Sequence, residues 1–457
     1  MTTGRALFEA GTPASVPGRR QGAGRHGDLS VLEELQRTNA AAEIWWDSPP
    51  QDFPVWRHGV LERAPDAVTR ERWAVQLQRF LVPDDPERSL VCGVTTNPSL
   101  IAKSILNSPQ RWSREVRRQA MQQEFHAEPV FRLLYRAVVA ESAAVMMPMW
   151  QRSEGRYGWV SAQLDPRAMC DRQRMLDEAL ALTSLSPNIM AKVPGVPAGY
   201  EVIKELVARG ISINNTLTCT VPQFLTCIRV VEEGLAVAQR VGIGADRWRA
   251  VITHMIGRYG SNGILLKEAA TLGVELSPSD VRWAEVAILK EITQILGQGS
   301  HPVKMLVSSL EVDDPLSGAQ LSMHLEQTAG ADIVYTCKPD FVEATMRRER
   351  DLAAFAQDAI YRPVPADVLD RLNRLPYFRQ AVEPGGMQPE QFTDHSVVTT
   401  THSEMNRNVH QVIDFIQRTI DELPVRQHGT QGETSASDPI DVCARNERTT
   451  ERTADVT

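Results

Sequence analysis

Eight short apolar runs, each followed by a longer stretch with helical periodicity, constrain this chain more than anything else in it. The runs cover 43–47, 90–97, 158–165, 188–193, 211–216, 250–256, 303–309 and 331–336. Several close on Asp, Asn, Thr, Ser or Gln, so polar side chains gather at the carboxyl ends of apolar segments. Parallel strands need a crossover of a dozen or more residues, usually a helix. Eight such units in succession predict an α/β fold, a closed (β/α)8 barrel over about residues 43–360 with its chemistry at the strand carboxyl ends. The patterns at Ala198–Arg209, Pro222–Gly242 and Ser277–Leu296 supply crossover helices, the first stopped by Gly210 and the last opened by Ser277 and Pro278. The stretch 48–89 is long for one connection and is expected to carry an added helix near Val68–Phe80. Phe341–Tyr361 and Glu404–Leu423 read as further C-terminal helices packed on the outside. Residues 1–28 and 424–457 lack hydrophobic periodicity and are expected to be a disordered arm and tail, leaving 29–423 for the barrel and its added helices.

Composition narrows the function. The net charge of −8 excludes the basic footprint of a nucleic-acid binder. No run of 18 apolar residues predicts a membrane span, and residues 1–30 hold no apolar core of a secretory leader. Six cysteines form no CxxC pair and suggest no zinc site. A cytoplasmic protein with reduced thiols is expected, without nucleic-acid or membrane partners; a homo-oligomer is compatible with the sequence. Lysine is scarce: seven lysines stand against 42 arginines, 49 cationic residues in all.

Lys192 is the lysine that an apolar strand carries, in Ile189-Met-Ala-Lys-Val-Pro194. Near a strand end it could simply snorkel to solvent. Buried in a barrel mouth, its ammonium would be disfavoured and its pKa lowered. A neutral amine can condense with a ketone to a Schiff base, whose iminium accepts electrons when the neighbouring carbon–carbon bond breaks. That chemistry needs a carboxylate to move protons, a polar group to place a water, and neutral partners for sugar hydroxyls. Asp47, Asn97, Gln163, Asn214 and Thr216 stand near strand carboxyl ends and could converge on Lys192. Each could instead cap a helix or close a turn, Asn97 above all because Pro98 follows it.

The motifs in these strands resemble the transaldolase family. Gly93-Val-Thr-Thr-Asn-Pro-Ser-Leu-Ile101 is similar to its GVT(T/S)NP(S/T) signature, and Val160-Ser-Ala-Gln-Leu-Asp-Pro-Arg167 to its VS-x-E-V-D-x-R strand. Lys192-Val-Pro with Asn214 and Thr216, 22 and 24 residues on, resembles the Schiff-base segment. Ile252-Thr-His-Met-Ile-Gly-Arg258 resembles the sixth strand. The resemblance implies a (β/α)8 barrel needing no cofactor or metal, acting on sugar phosphates in carbohydrate metabolism such as the pentose phosphate pathway. It implies Lys192 as the nucleophile, Asp47 as general acid/base, and Gln163 and Thr216 as partners of the catalytic water. Asn97 and Asn214 would hold substrate, and Thr253, Arg258 and Ser308 its phosphate.

The sequence departs from the family pattern in three places. Gln163 stands where transaldolases usually have Glu; it cannot accept a proton but can hold a water, and the fructose-6-phosphate aldolase branch also has Gln there. Met255 replaces an aromatic residue. After Ser309 come Leu310 and Glu311, where the family usually adds a cation. A weaker phosphate requirement is therefore expected, with Arg258 carrying most of it unless Lys304 or a loop arginine reaches the site. The leading reading is transfer of a dihydroxyacetone unit from a ketose phosphate, such as sedoheptulose 7-phosphate or fructose 6-phosphate, to an aldehyde. The alternatives are an aldolase-like enzyme acting on an unusual sugar, or a catalytically retired barrel with a binding role. The retained polar set argues against retirement.

Overall fold

The structure, a computed structural model, describes residues 29–423 except 122–125, 245, 315–317, 350–351 and 353. The arm and tail expected to be disordered lie outside the described residues. Eight parallel strands close a barrel in chain order. They are β1 (Glu43–Trp46), β2 (Val91–Thr95), β3 (Trp159–Gln163), β4 (Ile189–Pro194), β5 (Ile213–Thr218), β6 (Ala250–Met255), β7 (Lys304–Ser308) and β8 (Val334–Cys337). All eight expected runs are strands, with ends moved by a few residues. Nearly every strand residue is buried, as expected when one face lines the barrel and the other meets helices.

Alternation along each strand sorts side chains between the barrel and its coat. Trp46 turns outward into an aromatic cluster with Phe53, Trp56 and Phe80, from the helices Phe53–Glu62 and Ala67–Phe80 that fill the long first connection. Trp45 turns inward beside Gly93, where a methyl group would stand 2.3 Å from the indole. Gly93→Ala is thus an overpacking change, expected to cost about 1–3 kcal/mol in urea unfolding.

The barrel's amino-terminal end is closed by an ionic plug. Arg249 and Lys304 donate to Glu43 Oε1 at 2.6 and 2.9 Å, and Trp45 Nε1 donates to Glu43 Oε2 at 3.1 Å. Burial works to raise the Glu43 carboxyl, but the two cations outweigh it and hold it well below the usual carboxylate range. Lys304 also donates to the Ala41 carbonyl at 2.6 Å and pairs with Asp332 at 2.7 Å. It belongs to the floor and is excluded as a substrate cation at the mouth.

Two expectations about the C-terminal helices need correction. The helix expected over 341–361 runs from Pro339 to Arg347 and is followed by a short 3-10 turn at Ala359–Tyr361. Arg348 leaves the helix, and its guanidinium donates to the carbonyls of Asp313 and Gln320. The final helix starts earlier than its pattern suggested, at Ser396, and continues to Asp421. Its first turns cross the carboxyl end of the barrel, touching β5, and the rest packs on the outside as expected, against the helices Pro98–Asn107, Pro109–Ala120 and Ala127–Arg152. Its buried stripe, which includes Val398, Met405 and Val409, has the three-to-four-residue spacing of a one-sided helix. Val398 and Met405 close a small apolar cluster with Met169, Val196, Leu217 and Met255, separate from the main core.

Candidate active site at the barrel mouth

Strand register brings the polar residues of the mouth to one level. Gln163 pairs with Lys192, Lys192 with Asn214, and Pro194 with Thr216. Residues in register on adjacent parallel strands face the same side, so these side chains share the barrel interior. Asp47 follows β1, and its amide donates to the Cys337 carbonyl at 2.9 Å, fixing it against the end of β8. Lys192 is 6% exposed and Asp47 4%, so the mouth is largely withdrawn from water.

The Lys192 side-chain amine makes no hydrogen bond or ion pair among the described residues, unusual for a buried amine. Burial lowers its pKa below the ordinary lysine value; the Asp47 charge opposes that shift and the Lys338 charge adds to it. Asp47 Oδ1 accepts from Thr95 Oγ1 at 2.5 Å, and the Thr95 and Thr336 hydroxyls lie 2.6 Å apart. Since Thr95 donates to Asp47, Thr336 must donate to Thr95, giving a directed chain that aims the carboxylate.

Asn214 is fixed at both ends of its amide. Nδ2 donates to Ser161 Oγ at 2.8 Å, and Oδ1 accepts from Thr253 Oγ1 at 2.7 Å. The Thr253 proton is thereby committed to Asn214, so this hydroxyl orients the amide and has only acceptor capacity left for a ligand. Thr216 and Ser308 are buried, and their hydroxyls have no protein hydrogen-bond partner among the described residues. Gln163 is reached from two sides: Tyr135 Oη donates to its backbone carbonyl at 2.5 Å, and its Nε2 lies 2.8 Å from Met405 Sδ.

Asn97 is engaged elsewhere. Its Oδ1 accepts from Leu100 N at 2.9 Å and caps the helix Pro98–Asn107. Of the two sequence readings of Asn97, the cap is the one its carbonyl oxygen serves. His254 points away from the mouth, fully buried against Phe224, and burial pushes its pKa down to about 3.

Arg258 lies just beyond β6, and the crossing helix holds it. Its guanidinium donates to both oxygens of Glu404, at 2.6 and 3.2 Å. Glu311, which stands where the family usually adds a cation, is drawn to Arg282. Arg282 also meets Glu285 at 2.9 Å and Asp313 at 2.6 Å, and Glu285 accepts from His324 Nε2 at 2.8 Å. This half-buried cation is shared by three carboxylates, so Glu311 at the end of β7 is paired, though its charge is only partly offset.

A cavity of about 640 Å³ opens on the barrel flank between Tyr135, Asp165 and Glu178. Its walls include none of Asp47, Lys192 or Thr216, so size alone does not mark the chemistry. Among the described residues, no group of three or more His, Cys, Asp or Glu is arranged to hold a metal, and no helix is long and apolar enough to cross a membrane.

Comparison with known proteins agrees with this geometry. The family model for transaldolase/fructose-6-phosphate aldolase matches residues 84–378, more than half of the chain. The chain belongs to this family. A transaldolase of Thiobacillus denitrificans is 27% identical over 295 residues, 60% of this chain and 80% of that protein. One from Thermobifida fusca is 28% identical over 238 residues, 49% of this chain and 64% of that protein. Transaldolase 1 of Streptomyces avermitilis is 30% identical over 238 residues, covering 49% and 62%. The matched stretch thus spans somewhat less than two thirds of the last two relatives. The family match starts after β1, so Asp47 is placed by the barrel rather than by the match.

Sequence reasoning missed Thr95, Thr336, Ser161, Lys338, Glu404 and Met405. For β8 a signal existed: with Thr336 facing inward, two-residue alternation puts Lys338 on the same side. For Glu404 and Met405 there was none, because their approach depends on where a distant helix lands.

Proposed function

We propose that this transaldolase-family protein transfers a dihydroxyacetone unit from a ketose phosphate to an aldehyde through a Schiff base on Lys192. The observation that carries this reading is the buried, unpaired Lys192 amine with its lowered pKa, in register with Gln163 and Asn214 and within the field of Asp47. A neutral amine attacks the ketose carbonyl carbon; the carbinolamine loses water and becomes an iminium. Asp47 then takes the proton of the hydroxyl two carbons away. The bond from that hydroxyl-bearing carbon to the carbon next to the iminium breaks, its electron pair passes into the iminium to give an enamine, and the aldehyde leaves. The enamine adds to the acceptor aldehyde, whose oxygen recovers a proton from Asp47. Water, held by Gln163 and Thr216, hydrolyses the new iminium and frees Lys192.

Gln163 supports a second reading, an aldolase that releases dihydroxyacetone to water. Both readings are tested with fructose 6-phosphate, with and without erythrose 4-phosphate, followed by borohydride and intact-mass measurement. A reduced adduct is expected in both arms, with product formation depending on the acceptor. Free dihydroxyacetone at the same rate without acceptor would favour the aldolase. Absence of any adduct would exclude both.

A further inference from the structure

The Arg258–Glu404 pair holds a carboxylate where a ligand anion would dock. Its fork geometry, one oxygen per nitrogen, is also the geometry by which arginine holds phosphate. The two side chains are 30% and 36% exposed, so a solute can reach them. The pair stands at the rim of the mouth, one residue along the crossing helix from Met405, which rests on Gln163.

A second cation faces the same place. Lys338 follows β8 with extended backbone, φ −66° and ψ 152°, so strand alternation continues past Thr336, whose hydroxyl lies inside the barrel. Lys338 is half-buried, and its side chain has no hydrogen bond or ion pair among the described residues. Its charge acts on both the Lys192 amine and the Glu404 carboxylate. The other charged groups that act on these two are Asp47, Arg258 and Arg407, the last exposed on the crossing helix itself. The cation that β7 lacks is thus matched by one on β8.

We propose that Lys338 and Arg258 together form the seat for the phosphate of the substrate, that the Glu404 carboxylate sits in it, and that a phosphate-bearing ligand binds by displacing Glu404. This rests on the Schiff-base reading for its substrate class, though its phosphate seat can be measured apart from it. Exchange of one anion for another leaves the charge balance of Arg258 intact, and phosphate brings the third acceptor that Lys338 can meet. It also revises the sequence expectation that Arg258 would carry the phosphate nearly alone.

The test is calorimetric titration of the full chain with inorganic phosphate. Glu404→Gln removes the competing charge and is expected to tighten phosphate about tenfold, the scale of one charge-assisted hydrogen bond. Lys338→Met is expected to weaken phosphate about tenfold in both wild type and Glu404→Gln, and Lys338→Arg to restore it. Unchanged affinity in Glu404→Gln, or in Lys338→Met, would overturn the proposal. Glu404 is partly exposed, so its variant decides even if Lys338→Met folds poorly. Borohydride trapping with unphosphorylated dihydroxyacetone runs alongside. Loss of that adduct would remove the Schiff-base reading and leave the phosphate affinities to judge the seat. A normal adduct with unmoved affinities would remove the seat alone.

Discussion

Lys192→Met is expected to abolish the borohydride-trapped adduct and, at neutral pH, to make the protein more stable. The first effect follows because methionine has no amine to condense with a ketone. The second follows from linkage. Lys192 has its pKa lowered by burial, whereas in the unfolded chain it titrates near the ordinary lysine value. Below the folded-state pKa both states carry the proton, and the folded state bears the full cost of a desolvated ammonium. Between the two pKa values the unfolded state binds more protons, so stability climbs as pH rises. Above the unfolded value the cost is gone. Urea unfolding of wild type minus variant, measured from neutral pH upward, should show this climb only in the wild type. A variant that keeps wild-type turnover would refute the nucleophile; one less stable than wild type would refute the account of its burial.

Asp47→Asn should leave adduct formation in place while slowing turnover by ~10²–10⁴-fold, the usual contribution of a general acid/base. Asparagine preserves the oxygen that Thr95 addresses, so the directed chain from Thr336 survives and the loss reports proton transfer. The pH profile supplies an independent readout. The Asp47 charge raises the Lys192 pKa against the effect of burial. Removing it lets that pKa fall further, so the acid limb of imine formation should move to lower pH. A slow variant whose acid limb stayed fixed would mean that Asp47 lies too far from Lys192 to act on it.

The barrel was legible in the sequence because its signals are local. Each strand is a short apolar run, each crossover an amphipathic pattern, and neither depends on distant residues to be recognised. Lys192 was legible for the same reason: a rare cation inside an apolar strand is anomalous wherever the strand ends up. Alternation requires one tryptophan on each face of β1, and the structure decides which: Trp45 turns inward and Trp46 outward. Side chains with two local uses were less readable. Asn97 could face a ligand or cap the helix beginning at Pro98, and the same few residues permit both.

What the sequence by itself determined is the eight-strand order, the buried lysine on β4 and the carboxylate at the end of β1, all fixed by period-two alternation and strand pairing. Tertiary structure alone decided the surroundings of those groups. Lys304, a candidate substrate cation by sequence, became the floor of the barrel because its strand enters at that end and Glu43 waits there. Glu311 is paired with Arg282, a residue 29 positions earlier on another element. Glu404 and Met405 reached Arg258 and Gln163 because the first turns of the last helix cross the barrel mouth before the rest joins the outer helices. Such contacts join residues from 29 to 261 positions apart, and side-chain charge has no periodicity from which its partner can be read.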